Sequence, residues 1–427
     1  MGPFAASAAR PYRPAVPQTV RTIRPEELPA WFEAFGAAFY IWQYDANLLA
    51  AARRDTIEID RVVGAFDGDA IVGTFRTFGS ELTLPGGARV PVNAVSGVSV
   101  RPTHRRRGTL TRMMTDDTER AVARGDVASV LIASEWPIYG RYGYGTATWH
   151  ARWTLRTRAA TFQVEPVGSV EIVDALTARK LLPALYDEYA AQQAGELARP
   201  DHRWDVDLGI IELPGRPRWR GSVMIHRDDA GRPDGYARYH GEEVWEDGIP
   251  DNLMLLDELH GATLAAEIDL WRLLADMDLT ATIRADTRRE HEPMQWYLTD
   301  ARAARATGLT DFLWLRVLDV ERLLGERRYE RDGDLVIEVE DVLDGKPGPA
   351  KGRYRLEVRD GSAGCRRTDA QPHLTLDVRP LGAASLGGTR LIDASRAGGV
   401  TEHRPGALAE ADGLLRTADP PWCSTWF

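Results

Sequence analysis

The sequence of 427 residues contains only two cysteines, Cys365 and Cys423. Two thiols are too few for a disulfide framework or a cysteine-based zinc site, so we expect a reduced, cytoplasmic protein without a metal. No run approaches the roughly 18 apolar residues of a membrane span, and we expect none. Acidic residues outnumber basic residues, and the formal net charge of −10 argues against bulk nucleic-acid binding.

The length indicates about three domains around separate cores. Residues 1–20 are rich in alanine and proline and lack the continuous apolar stretch of a signal peptide, so we expect a flexible arm there. Shifts in pattern along the rest of the chain predict three units, at residues 21–157, 158–310 and 311–427.

The first unit has the pattern of an α+β domain. Apolar residues recur at helical spacing over residues 25–40, and a hairpin turn is indicated at 67–69. A strand at 95–100 leads into a basic loop at 104–108, and the helix after it is predicted to end near Gly125. Residues 127–134 form a continuous apolar run, typical of a buried strand.

The middle unit repeats this order more weakly. A helix is expected at 181–190, strands at 222–226, 236–240 and 253–260, and a second helix at 263–277. The junction at 261–263 has no arginine, so we predict no anion site there. In the last unit, strands at 335–342, 354–358 and 374–378 precede a helix at 407–415.

The basic loop of the first unit, Arg105, Arg106, Arg107 and Gly108, lies between a strand and a helix. A helix start offers unpaired N–H groups and a positive dipole end, and glycine allows close approach of an anion. These residues predict a phosphate-binding loop, but they fit a basic surface turn equally well.

Two segments in this order, VRPTHRRRG and ASEWPIYGRYGYGTAT, resemble the Eis family of GNAT acetyltransferases, although Leu110 departs from the usual small residue of the GNAT motif. The resemblance implies an α+β fold with two tandem GNAT-like domains, the second degenerate, followed by a sterol-carrier-like domain. It implies acetyl-CoA as cosubstrate. The residues that it assigns to this molecule are Val98, Ser99, Val100, Arg106, Arg107, Gly108, Thr109, Leu110, Thr111, Ser134 and Glu135.

Acetyl transfer to an amine requires a base for the attacking nitrogen and an acid for the leaving thiolate. Tyr139, Tyr142 and Tyr144 follow the apolar run at 127–134, and a single tyrosine there fits loop packing as well as catalysis. The resemblance selects Tyr139 as the acid. It selects the terminal carboxylate of Phe427 as the base, at the end of a tail unusually apolar for a chain terminus.

The resemblance also implies an acceptor pocket with Trp204 and Asp311, next to Trp426, which stands where the family usually has glutamate. We therefore expect an amine-bearing small molecule or a lysine side chain as acceptor, with aminoglycosides possible but bound weakly. The family implies a homo-oligomer, a hexamer. Two alternatives stay open: a lipid or acyl-CoA carrier built on the last domain, and a CoA-binding sensor without turnover.

Overall fold

The computed structural model describes residues 18–41 and 44–427. Its first sheet has seven strands and carries the helices Leu28–Ala38, Ala46–Arg53 and Thr109–Arg124. Helix Thr109–Arg124 connects two parallel strands, Arg89–Val100 and Ala128–Ile132. In spatial order the strands of the first sheet are Thr19–Thr22, Val62–Asp67, Ala70–Thr83, Arg89–Val100, Ala128–Ile132, Leu313–Val317 and Gly145–Thr146.

The second sheet also has seven strands, and its helices are Ala175–Ala190, Asp201–Asp207 and Leu264–Ala275. Its parallel pair, Asn252–Gly261 and Thr280–Arg288, flanks the crossover through Leu264–Ala275. This arrangement repeats the order of the first unit. In spatial order the strands are Ala304–Asp311, Trp149–Arg156, Thr280–Arg288, Asn252–Gly261, Pro233–Glu242, Ser222–Arg227 and Ser169–Val173.

The first two units exchange strands, which the predicted boundaries missed. Strand Trp149–Arg156, assigned to the first unit, lies in the second sheet, between Ala304–Asp311 and Thr280–Arg288. Strand Leu313–Val317, assigned to the last unit, lies in the first sheet between Ala128–Ile132 and Gly145–Thr146. Sequence order alone cannot reveal such long-range pairing, because an apolar strand fits any sheet.

The last unit is a five-stranded sheet covered by four helices. Its strands, in spatial order, are Ser362–Arg367, Gly352–Arg359, Gly333–Glu340, Leu374–Asp377 and Val400–Glu402. Its helices are Val320–Gly325, Val378–Ala384, Leu391–Arg396 and Ala407–Leu415. Short two-stranded ribbons pair Val342–Leu343 with Lys346–Pro347 and, in the second unit, Trp245–Glu246 with Ile249–Pro250.

One apolar core joins the first and last units. It includes Val92 and Leu315 of the first sheet and Ile337 and Leu381 of the last unit. Gly382 is required here, because a Cβ on it would lie 2.3 Å from the backbone oxygen of Leu315. The two units therefore pack as closely as the interior of a single domain.

The predicted α+β class is confirmed, and each predicted helix and strand named above has a counterpart in the structure. The arm predicted for residues 1–20 lies outside the described residues up to position 17. Its last two residues do not belong to an arm, because strand Thr19–Thr22 pairs with Val62–Asp67. Within the described parts of the chain, no helix is both long and apolar enough to cross a membrane.

Candidate active site

Strand Arg89–Val100 contains a β-bulge, and we call it the bulged strand. Thr74 pairs with Ser99 and Arg76 with Ser96, so Gly97 and Val98 together face a single residue of the neighbouring strand. Gly97 adopts a φ of 61°, which glycine tolerates best. The hydroxyl of Thr74 donates a hydrogen bond to the Gly97 carbonyl over 2.8 Å. The bulge directs backbone groups away from the sheet ladder.

The bulged strand also separates from its parallel neighbour. Pairing with Ala128–Ile132 ends at Val95 and Leu131, and beyond this point the two strands flank a cavity of about 670 Å³, the first cavity. Its lining comprises Phe35, Ala38, Phe39, Ile41, residues 95–100, His104, Arg105, Arg106, residues 108–111, residues 132–135, Ile138, Tyr139, Arg141, Tyr142, Trp426 and Phe427.

The basic loop forms one end of the first cavity. Arg106 and Gly108 have φ values of 62° and 78°, and Gly108 caps helix Thr109–Arg124 without any side-chain cap. The first amide groups of a helix have no partner within it, and the dipole makes this end positive. A Cβ at Gly108 would meet no atom within 4 Å, so the space above the helix start is open to a ligand. This end is therefore suited to an anion.

Of the eleven residues predicted to bind acetyl-CoA, ten line the first cavity. Arg107 does not, because its guanidinium turns back and donates to the Thr103 carbonyl over 3.0 Å. The role of Arg107 in binding acetyl-CoA stays a prediction. An unpredicted residue, His104, lines the cavity instead and lies 3.1 Å from an Asp67 carboxylate oxygen.

The three candidate tyrosines have different environments. Tyr144 is buried, and its hydroxyl lies 2.7 Å from the Ser129 hydroxyl. Tyr142 lines the first cavity, but its hydroxyl lies 3.2 Å from the hydroxyl of Thr111. Tyr139 also lines the cavity, and burial, with a smaller contribution from Glu135, raises its phenol pKa to about 12. Tyr139 thus holds its proton throughout the physiological range.

Residues 422–427, the tail, cross the second unit before they reach the first cavity. Trp422 and Cys423 are buried, and the Ser424 amide donates to Glu196 over 3.0 Å. The guanidinium of Arg199 donates to the hydroxyls of Ser424 and Thr425, each over 2.9 Å. These contacts attach the tail to the second unit.

The last two residues lie between two cavities. Trp426 and Phe427 line the first cavity and also a second cavity of about 650 Å³. Arg203 donates to the Trp426 carbonyl over 2.6 Å, although the Trp426 side chain is 63% exposed. The lining of the second cavity comprises Arg53, Thr56, Ile57, Glu58, Arg76, Phe78, Gly79, Ser80, Leu197, Ala198, Pro200, His202, Arg203, Val206, Asp207, Arg216 and residues 425–427.

Two predicted pocket residues lie outside both cavities. Trp204 is only 2% exposed and packs in the core of the second unit, beneath the guanidinium of Arg199. The Asp311 carboxylate accepts a hydrogen bond from the Trp314 indole over 2.6 Å. The assignment of Trp204 is wrong because its ring fills a core, whereas the assignment of Asp311 stays a prediction. Of the three predicted pocket residues, Trp426 lines both of these cavities.

The sequence contained a partial signal for the residues that were missed. Helix Leu28–Ala38 and the residues after it carry more apolar side chains than one buried face needs. Trp31 and Phe32 fill the core, whereas Phe35, Phe39 and Ile41 face the first cavity. The arginines that line the second cavity gave no such signal, because they come from four separate parts of the chain.

Comparison with known proteins identifies this architecture. Residues 19–147 and 195–317 each match a model of the acetyltransferase (GNAT) domain, and residues 320–424 match the sterol carrier protein domain. The chain is 34% identical to N-acetyltransferase Eis of Mycobacterium tuberculosis over 381 residues, 87% of this chain and 86% of that protein. The chain belongs to the Eis family of N-acetyltransferases. The predicted family, the two GNAT domains and the sterol-carrier-like domain are confirmed.

Two further similar proteins cover almost the whole chain. An uncharacterized N-acetyltransferase of Streptomyces avermitilis is 38% identical over 414 residues, 96% of this chain and 98% of the relative. The crystal structure of Eis1 from Mycobacterium abscessus superposes with a TM-score of 0.82 at 32% identity, covering 96% of this chain and all of that one. The protein is therefore an enzyme of the acetyltransferase class.

Proposed function

We propose that this protein transfers the acetyl group of acetyl-CoA directly to an amine, with Tyr139 as general acid and the Phe427 carboxylate as general base. The observation that carries the proposal is the position of Phe427, which lines both cavities. A base must reach the attacking amine, and a residue that borders the donor and acceptor spaces together is suited to that role.

The first cavity fits acetyl-CoA. The open helix start at Gly108 is suited to a pyrophosphate, and Arg105 and Arg106 add positive charge beside it. Val98 lies in the bulge, and both Val98 and Ser99 lie beyond the last pair with strand Ala128–Ile132, so their backbone groups on that side are available for pantetheine amides. When bound there, acetyl-CoA supplies the acetyl thioester.

Two residues of the chain carry out the proton transfers. The Phe427 carboxylate accepts a proton from the amine, directly or through one water. Tyr139 holds a proton for the departing sulfur, since its raised pKa of about 12 keeps the phenol neutral. Both residues line the first cavity, although they lie far apart in sequence.

The carrier alternative has little support in the last domain. A lipid carrier needs a long apolar cavity, but the apolar space around Leu335, Leu374 and Leu414 amounts to about 10 Å³. That volume is too small for an acyl chain, since one water needs a comparable space.

The deciding experiment is incubation of the protein with labelled acetyl-CoA and a panel of amines. Transfer of label to an amine, together with release of CoA, supports the proposal. Binding of acetyl-CoA without transfer to any amine would favour the sensor instead.

The cellular setting and the assembly remain part of this proposal. The low cysteine count favours the cytoplasm, and the family resemblance implies a homo-oligomer, a hexamer. Sedimentation of the purified protein measures its size directly.

A further inference from the structure

The second cavity is rich in arginine. Arg53, Arg76, Arg203 and Arg216 line it, against two side-chain carboxylates, Glu58 and Asp207. The cavity also meets the first cavity at Trp426 and Phe427, so it is the side from which an acceptor would approach the proposed base.

Both carboxylates in this cavity already have partners. Asp207 accepts from Arg203 over 2.9 Å and from Arg216 over 3.2 Å. The Glu58 carboxylate pairs with Arg61, which is outside the lining, over 2.7 Å and accepts from the Gly79 amide over 3.0 Å. Both acids thus already face positively charged guanidinium groups of this chain.

Two of the arginines, by contrast, make no ion pair with any carboxylate of residues 18–41 and 44–427. Arg53 ends helix Ala46–Arg53, and Arg76 lies in strand Ala70–Thr83. Burial, together with the charge of Arg53, lowers the pKa of Arg76 to about 10, so Arg76 stays charged at neutral pH. Burial also lowers the pKa of Arg53. Two unpaired guanidiniums beside a cavity form a strong site for a carboxylate or a phosphate.

We propose that the acceptor is an amine that also carries an anionic oxygen group, a carboxylate or a phosphate, which Arg53 and Arg76 bind in the second cavity. This inference rests on the proposed function, because it names the acceptor class of the same site. A polycation is disfavoured, since its extra ammonium groups would face arginines.

Matched acceptors test the inference by charge alone. We expect 6-aminohexanoate to be acetylated with a kcat/KM about 10- to 100-fold above that of hexylamine, and cadaverine, with a second ammonium, to be the poorest of the three. O-phosphoethanolamine against ethanolamine gives the same comparison for phosphate, so the two pairs distinguish the anions. Equal rates within both pairs, or a preference for cadaverine, would overturn the inference.

Substitutions of the two arginines test whether they cause this preference for an anionic acceptor. Arg53→Gln and Arg76→Met should each reduce the ratio of kcat/KM for 6-aminohexanoate over hexylamine, and Arg76→Lys should restore part of it. Arg54→Gln is the matched control, because Arg54 follows Arg53 directly but is exposed and outside the cavity lining. An unchanged ratio in both folded variants, verified by circular dichroism, would contradict the assignment.

A binding measurement separates this inference from the proposed function. Phenylglyoxal modifies accessible arginines, and mass spectrometry of the peptides reports each one. Hexanoate or inorganic phosphate should protect Arg53 but not Arg54. Protection without acetylation of any amine would refute the proposed function and leave the anion site standing. Acetylation of hexylamine and cadaverine without protection by either anion would support the proposed function and refute the anion site.

Discussion

The ring of Phe427 stands edge-on to the ring of Phe78, with centroids 5.5 Å apart. Phe78 lies in strand Ala70–Thr83 of the first sheet, whereas Phe427 arrives from the last unit through the second. Edge-to-face aromatic pairs contribute about 0.5–1.5 kcal/mol and fix ring orientation. The contact therefore positions the group to which the proposed base is attached.

The charge of the terminal carboxylate can be removed without moving this ring. We expect protein with a C-terminal amide, prepared by semisynthesis, to lose turnover by a factor of about 10² or more while it binds acetyl-CoA normally. Single-turnover rates and calorimetric titration measure the two quantities. Extension beyond Phe427 should act similarly, and the same extension placed before Met1 is the control. A fully active amide would rule out the terminal base.

Replacement of Tyr139 by phenylalanine removes only the proton donor. We expect kcat to fall by about 10²–10⁴ while acetyl-CoA affinity changes little. Tyr142→Phe is the matched control, because Tyr142 also lines the first cavity but lies close to the Thr111 hydroxyl. If Tyr142→Phe shows the large loss and Tyr139→Phe does not, the acid is Tyr142.

The raised pKa of Tyr139 makes a prediction about pH. Burial favours the neutral phenol, so the proton is lost only as pH rises through about 12. The pH profile of kcat/KM should therefore have no descending limb from this group between about pH 7 and pH 10. A descending limb in this range that is absent from the profile of Tyr139→Phe would contradict the assignment.

The two ends of helix Thr109–Arg124 offer a matched pair of glycines. Gly108 and Gly125 have φ values of 78° and 81°, and a Cβ on either would meet no atom within 4 Å. Substitution of either glycine by leucine should lower the free energy of unfolding by about 1–2 kcal/mol. Only Gly108 lines the first cavity. Calorimetry should show weaker acetyl-CoA binding in Gly108→Leu alone, and equal affinities would refute the phosphate site.

The family resemblance implies a carboxylate at the position of Trp426, which borders both cavities. We expect Trp426→Glu to improve acetylation of an aminoglycoside, because a carboxylate there pairs with ammonium groups and offsets the arginines of the second cavity. Trp426→Gln separates charge from the loss of the ring. Steady-state kinetics of the parent that favour the aminoglycoside over a monoamine would contradict this explanation.

Local patterns in the sequence predicted the helices, the strands and the loop at Arg106 and Gly108, because these depend on neighbouring residues. The pairing of Leu313–Val317 with Ala128–Ile132, across 180 or so positions, depends on the whole fold and has no local signature. The prediction of the acceptor-pocket residues was incomplete for the same reason. Trp204 is an aromatic residue of the kind that lines pockets, but it fills a core. Arg53 and Arg76 come together at one cavity only in the folded chain.

The strand exchange between the first two sheets has a consequence for cooperativity. Neither sheet can be completed from a contiguous segment, since Trp149–Arg156 and Leu313–Val317 each sit inside the other unit's sheet. A fragment that ends near residue 157 would expose the bonding edge of Ala128–Ile132 and carry a strand with no partner. Loss of either sheet thus removes a strand from the other, and calorimetric melting should give the two GNAT units a single shared transition.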